Sequence, residues 1–185
     1  MTTKSRKKKR EPTWTDLKRS LDGLDRNGLT GLIHDLYAAD TDNRVFLHAR
    51  FGLGDDVLKP YKATIPRWVC PDFNQAISVA KAKKAISDYR KAIGHPEGLA
   101  ELMVFFCEEC TALLCCCGVD DEGYFDALVR MFEQALKAIG KVDSVLQKSF
   151  VERIERVRQP AHNYGYGVGD DMDDLMVEYG FCEEE

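Results

Sequence analysis

Between Ser78 and Tyr179, apolar residues recur three and four positions apart, in runs bounded by residues that start or stop helices. Ser78 opens a run with Val79, Ala82, Ile86, Tyr89 and Ile93 on one stripe, ended by Gly94. Pro96 suits the first turn of the next helix, whose stop is Gly118, because proline gives up an amide that is unpaired there anyway. Asp120 or Asp121 starts a third, with Tyr124, Phe125, Leu128, Met131, Phe132, Leu136 and Ile139 inward and Gly140 at its end. A fourth carries Leu146, Phe150, Ile154 and Val157 before Pro160, and a short last one carries Met172, Leu175, Met176 and Tyr179.

The first half is less regular. Thr13 or Thr15 can cap a short helix with Leu17, Leu21 and Leu24, which Asn27-Gly28 is expected to break. A second carries Leu29, Leu32, Ile33, Leu36 and Tyr37; a third starts at Asp40 or Thr41 and stops at Gly52. Such short helices need packing for stability. Over residues 53–77, Pro60, Pro66 and Pro71 argue for no more than one or two helical turns after Asp56 and an ordered loop around Trp68.

The pattern predicts an all-α protein: one compact multi-helix bundle or short α-solenoid of about seven or eight helices. Helices 79–93, 97–117, 122–139 and 145–158 form its core. Residues 1–11 are read as a disordered basic arm, 12–181 as a single helical domain and 182–185 as an acidic tail. A chain of 185 residues with 44% hydrophobic and 31% charged residues can bury such a core.

Charge is unevenly spread. Lys4, Arg6, Lys7, Lys8, Lys9 and Arg10 open the chain without an acid. Eight basic residues face only Asp72 and Asp88 between Lys59 and Lys91, and Asp170 to Glu185 carries eight acids and no base. The candidate functional surface is therefore an anion- or nucleic-acid-binding one, joining Lys7, Lys8, Lys9 and Arg10 to Lys62, Arg67, Lys81, Lys84 and Lys91. The apolar run Leu99 to Cys117 has the length of a membrane span but contains Glu101, Glu108 and Glu109. Each ionised carboxylate at the bilayer centre costs on the order of 2.5–3.5 kcal/mol, so no membrane partner is expected.

Catalytic chemistry finds no footing. Cys107, Cys110, Cys115, Cys116 and Cys117 lie on one helix at about 100° per residue and do not converge as zinc ligands must. Cys107, Cys110 and Cys117 fall near the apolar face, while Cys115 and Cys116 point away from it. The Gly165-Tyr166-Gly167-Val168-Gly169 loop before Asp170 has the look of a phosphate cradle, but Asp170 and Asp171 are expected to occupy and repel at that helix start. Asp170, Asp171, Asp173 and Asp174 read better as helix-start punctuation than as a cation site. His34, His48, His95 and His162 are scattered, outside any nucleophile or metal pattern. We expect no catalytic set, no metal and no cofactor. Seven cysteines, an odd number with five crowded into one helix, suit a reducing cytoplasm.

The segments YKATIPRW (61–68), SVAKAKKAISDYRKAIG (78–94), GYFDALVRMFEQAL (123–136) and YGYGVGDDMDDL (164–175) resemble a family of small bacterial all-helical proteins of unknown function. The similarity runs over most of the chain beyond the basic arm. It implies a bacterial, cytoplasmic helical protein and transfers no activity, cofactor or site residue. The function expected is a non-enzymatic scaffold that binds a protein partner through its charged surface. The alternative is a nucleic-acid-associated factor using residues 4–10 and the lysines of helix 79–93.

Overall fold

The computed structural model describes residues 10–72 and 74–182, and among them there is no strand. The described residues form nine α-helices in order: α1 (Trp14–Leu21), α2 (Arg26–Ala39), α3 (Thr41–Arg50), α4 (Lys59–Val69), α5 (Val79–Ala92), α6 (Pro96–Cys117), α7 (Glu122–Ile139), α8 (Ser144–Arg158) and α9 (Val168–Glu178). A 3-10 segment, Gln159–Asn163, links the last two. The chain is all-α. It divides into two compact units, the boundary falling between Arg44 and Val45, inside α3. The expected disordered arm lies, but for Arg10 and Glu11, outside the described residues, as does the acidic tail beyond Cys182.

In the first unit the helix ends are set by carboxylates. The backbone amide and hydroxyl of Thr13 both donate to Asp16 Oδ2, at 2.9 and 2.7 Å, closing the start of α1. Asp25 caps α2 by accepting from the Gly28 amide at 2.7 Å, so Asn27-Gly28 lies inside the first turn of α2 instead of breaking the chain. Asp40 Oδ1 accepts from the Asp42 amide at the start of α3. No residue of α1 or α2 is buried.

The second unit is organised around α6. This helix packs against α4, α5, α7 and α8, which is why Leu102, Met103 and Val104, three consecutive residues, are all buried. A helix apolar on more than one side belongs at the centre of a bundle. α7 is amphipathic and turns Leu128, Phe132, Leu136 and Ile139 fully inward. Burying each of these stabilises the fold by about 1.5–3 kcal/mol before entropy is counted. α8 and α9 complete the bundle through Phe150, Ile154, Val157, Met172 and Met176.

The sequence reading fails most clearly at α4, an 11-residue helix that contains both Pro66 and Trp68. Pro60 sits in its first turn, where no amide is needed, and Asp56 Oδ1 accepts from the Leu58 and Lys59 amides to start it. Pro66 removes one internal hydrogen bond near the end. Tyr61, Ile65 and Val69, one turn apart and all buried, more than offset that loss. α4 lies along α5 as a hairpin, tied where the Ser78 amide donates to the Trp68 carbonyl at 2.8 Å. Ser78 occupies the N-cap position of α5 as expected, but its side chain makes no capping hydrogen bond.

Candidate interaction surfaces

The basic face of α5 is largely engaged within the second unit. Lys81 Nζ lies 3.7 Å from the centroid of the Trp68 ring, a cation on an aromatic face. Lys84 Nζ is 2.6 Å from Asp88 Oδ2, and Lys91 Nζ is 4.0 Å from Asp88 Oδ1. Arg50 reaches over to donate to the Lys91 carbonyl at 2.8 Å. Lys83 is half-buried, and burial, then the nearby Arg130, hold its ammonium below the ordinary lysine value.

Lys62 turns inward. Its Nζ is 2.6 Å from Glu101 Oε1 on α6 and 5.3 Å from the Phe105 ring centroid. Glu101 also takes Arg153 of α8, which bridges on to Glu108 at 2.6 Å. This half-buried network of two cations and two anions ties α4, α6 and α8 together. Burial alone would raise the Glu101 carboxyl, but hydrogen bonds from Arg153 and Lys62 outweigh it and hold it below the usual carboxylate range. Arg67 and Arg10 are exposed, and Lys7, Lys8 and Lys9 lie outside the described residues. The cations singled out from sequence are thus distributed over an aromatic face, Asp88 and an interhelical network.

The cysteines separate as the helical spacing requires. Cys107 and Cys110 are buried, while Cys115, Cys116 and Cys117 are exposed at the end of α6. Cys117 departs from the face expected for it, because the last turn of α6 outruns the bundle. Among the described residues no three His, Cys, Asp or Glu side chains are placed to hold a metal ion. Burial pushes the Cys110 thiol up to about 12 and Cys107 well above its ordinary value, the opposite of an activated nucleophile.

The glycine loop packs as a lid on the start of α7. Tyr164 stacks on Phe125 at 6.3 Å, and Tyr166 donates to Asp120 Oδ1 at 2.9 Å with its ring 5.4 Å from Phe125. Those contacts hold Tyr166 at φ 63, a left-handed conformation costly for a side chain of its size. At the start of α9 no side chain caps the helix; Gly167 takes the N-cap position at φ 72. Asp173 instead receives Arg158 and lies 3.2 Å from His162 Nε2. Gly169 packs so closely on His162 that a Cβ there would lie 2.5 Å from Nδ1.

A groove of about 380 Å³ lies between the end of α5, the start of α6 and α7, with Leu99 and Met103 on its floor and Arg90, Lys137 and Lys141 around it. Among the described residues that line it there is no histidine, thiol or carboxylate. Among the described residues no helix is long and apolar enough to cross a membrane.

The most pronounced surface feature was missed by the charge-based reading. Leu29, Leu32, Ile33 and Leu36 run along one face of α2, exposed by 38%, 38%, 51% and 50%. Trp14, Leu17 and Leu24, in and just after α1, are also exposed. The amphipathic spacing is plain in the sequence; that nothing buries it is not.

No protein-family model matches the chain, and no curated protein and no solved structure is detectably similar to it.

Proposed function

We propose that this chain is a protein-interaction module whose N-terminal helices dock by an apolar stripe on a protein surface, while the α4–α9 bundle serves as its rigid body. The observation that carries this reading is the exposure of Leu29, Leu32, Ile33 and Leu36 on a single face of α2. A 14-residue helix with Gly28 and Gly31 in it and no buried residue is marginal by propensity alone. Its stability calls for something to cover that face. An amphipathic helix laid into an apolar groove is a common recognition mode, read as anchors at i, i+3, i+4 and i+7, the spacing of these four residues.

The flanking chemistry favours protein over lipid. A helix that lies on a bilayer carries a polar face dense in Lys and Arg. α2 has a single such residue, Arg26, its other polar positions being Asn27, Thr30, His34, Asp35 and Tyr37, and in α1 Arg19 lies 3.6 Å from Asp16. Seven free cysteines, with the resemblance to small bacterial helical proteins, support a bacterial cytoplasmic setting for this activity. The alternative of a nucleic-acid-associated factor rests on residues 4–10 and on the lysines of α5.

The test is affinity capture with the tagged full-length chain and with an L32D/I33D variant whose helical circular dichroism is intact. The reading expects the proteins retained by the wild type to be lost with the variant. Equal recovery by both would reject it.

A further inference from the structure

We infer that the groove between α5, α6 and α7 is a binding site for an aliphatic carboxylate, its chain laid on Leu99 and Met103 and its headgroup held by Arg90 and Lys141. The site belongs to the α4–α9 bundle and does not depend on the stripe of α2. At about 380 Å³ the groove falls at the small end of the range that takes small ligands, roughly 300–1,000 Å³. Its apolar floor comes from α6. Its cations come from either flank: Arg90 near the end of α5, Lys137 in α7 and Lys141 just after it.

The charge here is unbalanced. Among the described residues no carboxylate lines the groove, and the acids nearest to it in sequence are turned elsewhere. Asp88 takes Lys84 at 2.6 Å, Glu101 takes Lys62 and Arg153, and Asp143 caps α8. Glu97 lies 4.0 Å from His95. Glu133 accepts from Lys137, whose ammonium is thereby answered and lies 5.5 Å from the Tyr179 ring centroid. Arg90 and Lys141 have no such partner among the described residues. Two turns back along the same helices, burial and then Arg130 hold the Lys83 ammonium below its ordinary value, so α5 and α7 oppose like charges there as well.

An apolar floor with unanswered cations beside it selects a ligand with an apolar chain and an anionic end. A neutral chain leaves both cations unanswered, and a short anion leaves the floor wet. The planar fork of Arg90 matches the two oxygens of a carboxylate.

The probe is octanoate, titrated into the full-length chain below its micelle concentration and followed by calorimetry and by the methyl signals of Leu99 and Met103. Octanoate should bind at one site per chain and move both signals, whereas acetate and octanol should do neither. Each methylene added from hexanoate to octanoate should tighten binding by up to about fourfold. R90Q/K141Q should weaken octanoate about tenfold or more, with helicity and melting temperature unchanged. K148Q/R156Q removes the same charge from exposed positions of α8 and should bind as the wild type does. L32D/I33D should also bind octanoate normally, so loss of captured proteins and loss of this ligand are read separately.

A Met103 signal that stays still at millimolar octanoate overturns the inference. Octanol binding as well as octanoate does so too, since the groove would then be merely apolar. An equal loss in K148Q/R156Q would reduce the attraction to net charge, and octyl phosphate binding more tightly than octanoate would overturn the headgroup. Should R90Q/K141Q fail to fold, the comparison of octanoate, octanol and acetate on the wild type decides alone.

Discussion

The Arg153 guanidinium, on α8, spans two carboxylates of α6 about two turns apart: Nη1 donates to Glu101 Oε2 at 2.5 Å, and Nε and Nη2 donate to Glu108. This fork clamps α8 onto the central helix at the point where Lys62 of α4 joins Glu101 from the other side. Removing the arginine leaves two half-buried carboxylates facing each other. We predict that R153M lowers stability by about 2–4 kcal/mol, read from urea unfolding. A surface pair would contribute under about 1 kcal/mol, so a loss that small would mean the network is solvated.

The same network sets a pH dependence. Glu101 is held below its ordinary value of 4.5 in the folded chain, so its contribution is fully present above that value and is lost as pH falls through it and then through the lower folded one. Glu109 acts in the opposite sense, since burial and then Glu108 raise it. The comparison must therefore be wild type against E101Q. The variant should be less stable near neutrality and should lose less stability on acidification from about pH 5 to pH 3. Parallel stability curves for the two proteins would contradict the assignment.

Helix positions were legible wherever one periodic stripe ran between two punctuating residues. The expected ranges 97–117, 122–139 and 145–158 agree with α6, α7 and α8 to within one residue. Local signals failed where tertiary packing outweighed them: Pro66 argues against helix locally, yet Tyr61, Ile65 and Val69 bury the face that makes α4. The candidate basic surface failed for a different reason. Composition counts lysines, but Glu101, Trp68 and Asp88 meet Lys62, Lys81 and Lys84 only through the packing of α4, α5 and α6 or through side-chain geometry on α5. The stripe on α2 was visible as a pattern, and only its exposure required the fold.

Gly98 tests how closely α5 and α6 approach. A Cβ built there would lie 2.0 Å from the Tyr89 hydroxyl and 2.5 Å from its Cζ. Within a helix, replacing glycine by alanine ordinarily gains up to about 1 kcal/mol. Here the clash should reverse the sign, and G98A is predicted to cost about 1–3 kcal/mol in thermal or chemical unfolding. Y89F should relieve it only in part, because the ring carbon remains too close. A stabilised G98A would show that the two helices can separate without loss.

The cysteines report on the depth of α6. Burial raises Cys107 and Cys110, the latter to about 12, so at pH 8 both are thiols shielded from reagent. Cys115, Cys116 and Cys117 reach solvent. Brief alkylation of the native protein, read by peptide mass spectrometry, should modify those three and spare Cys107 and Cys110 until denaturant is added. Labelling of Cys107 as fast as Cys116 would remove α6 from the centre of the bundle.

The last prediction separates the basic arm from the basic helix. Lys81 rests on Trp68, and Lys84 and Lys91 share Asp88, so releasing any of them to a phosphate forfeits an existing contact. The six cations of residues 4–10 are followed by no such neighbourhood of acids in sequence before Glu11. Any affinity for single-stranded nucleic acid at low salt should therefore reside in the arm. Each phosphate contact contributes about 0.7 to the slope of log affinity against log salt. Deleting residues 1–10 should abolish that slope, whereas K81Q/K84Q/K91Q should leave it unchanged, as measured by fluorescence anisotropy of a labelled oligonucleotide. A triple variant that lowers the slope by about 2 would return the interface to α5, because only three phosphate contacts made there could carry a change of that size.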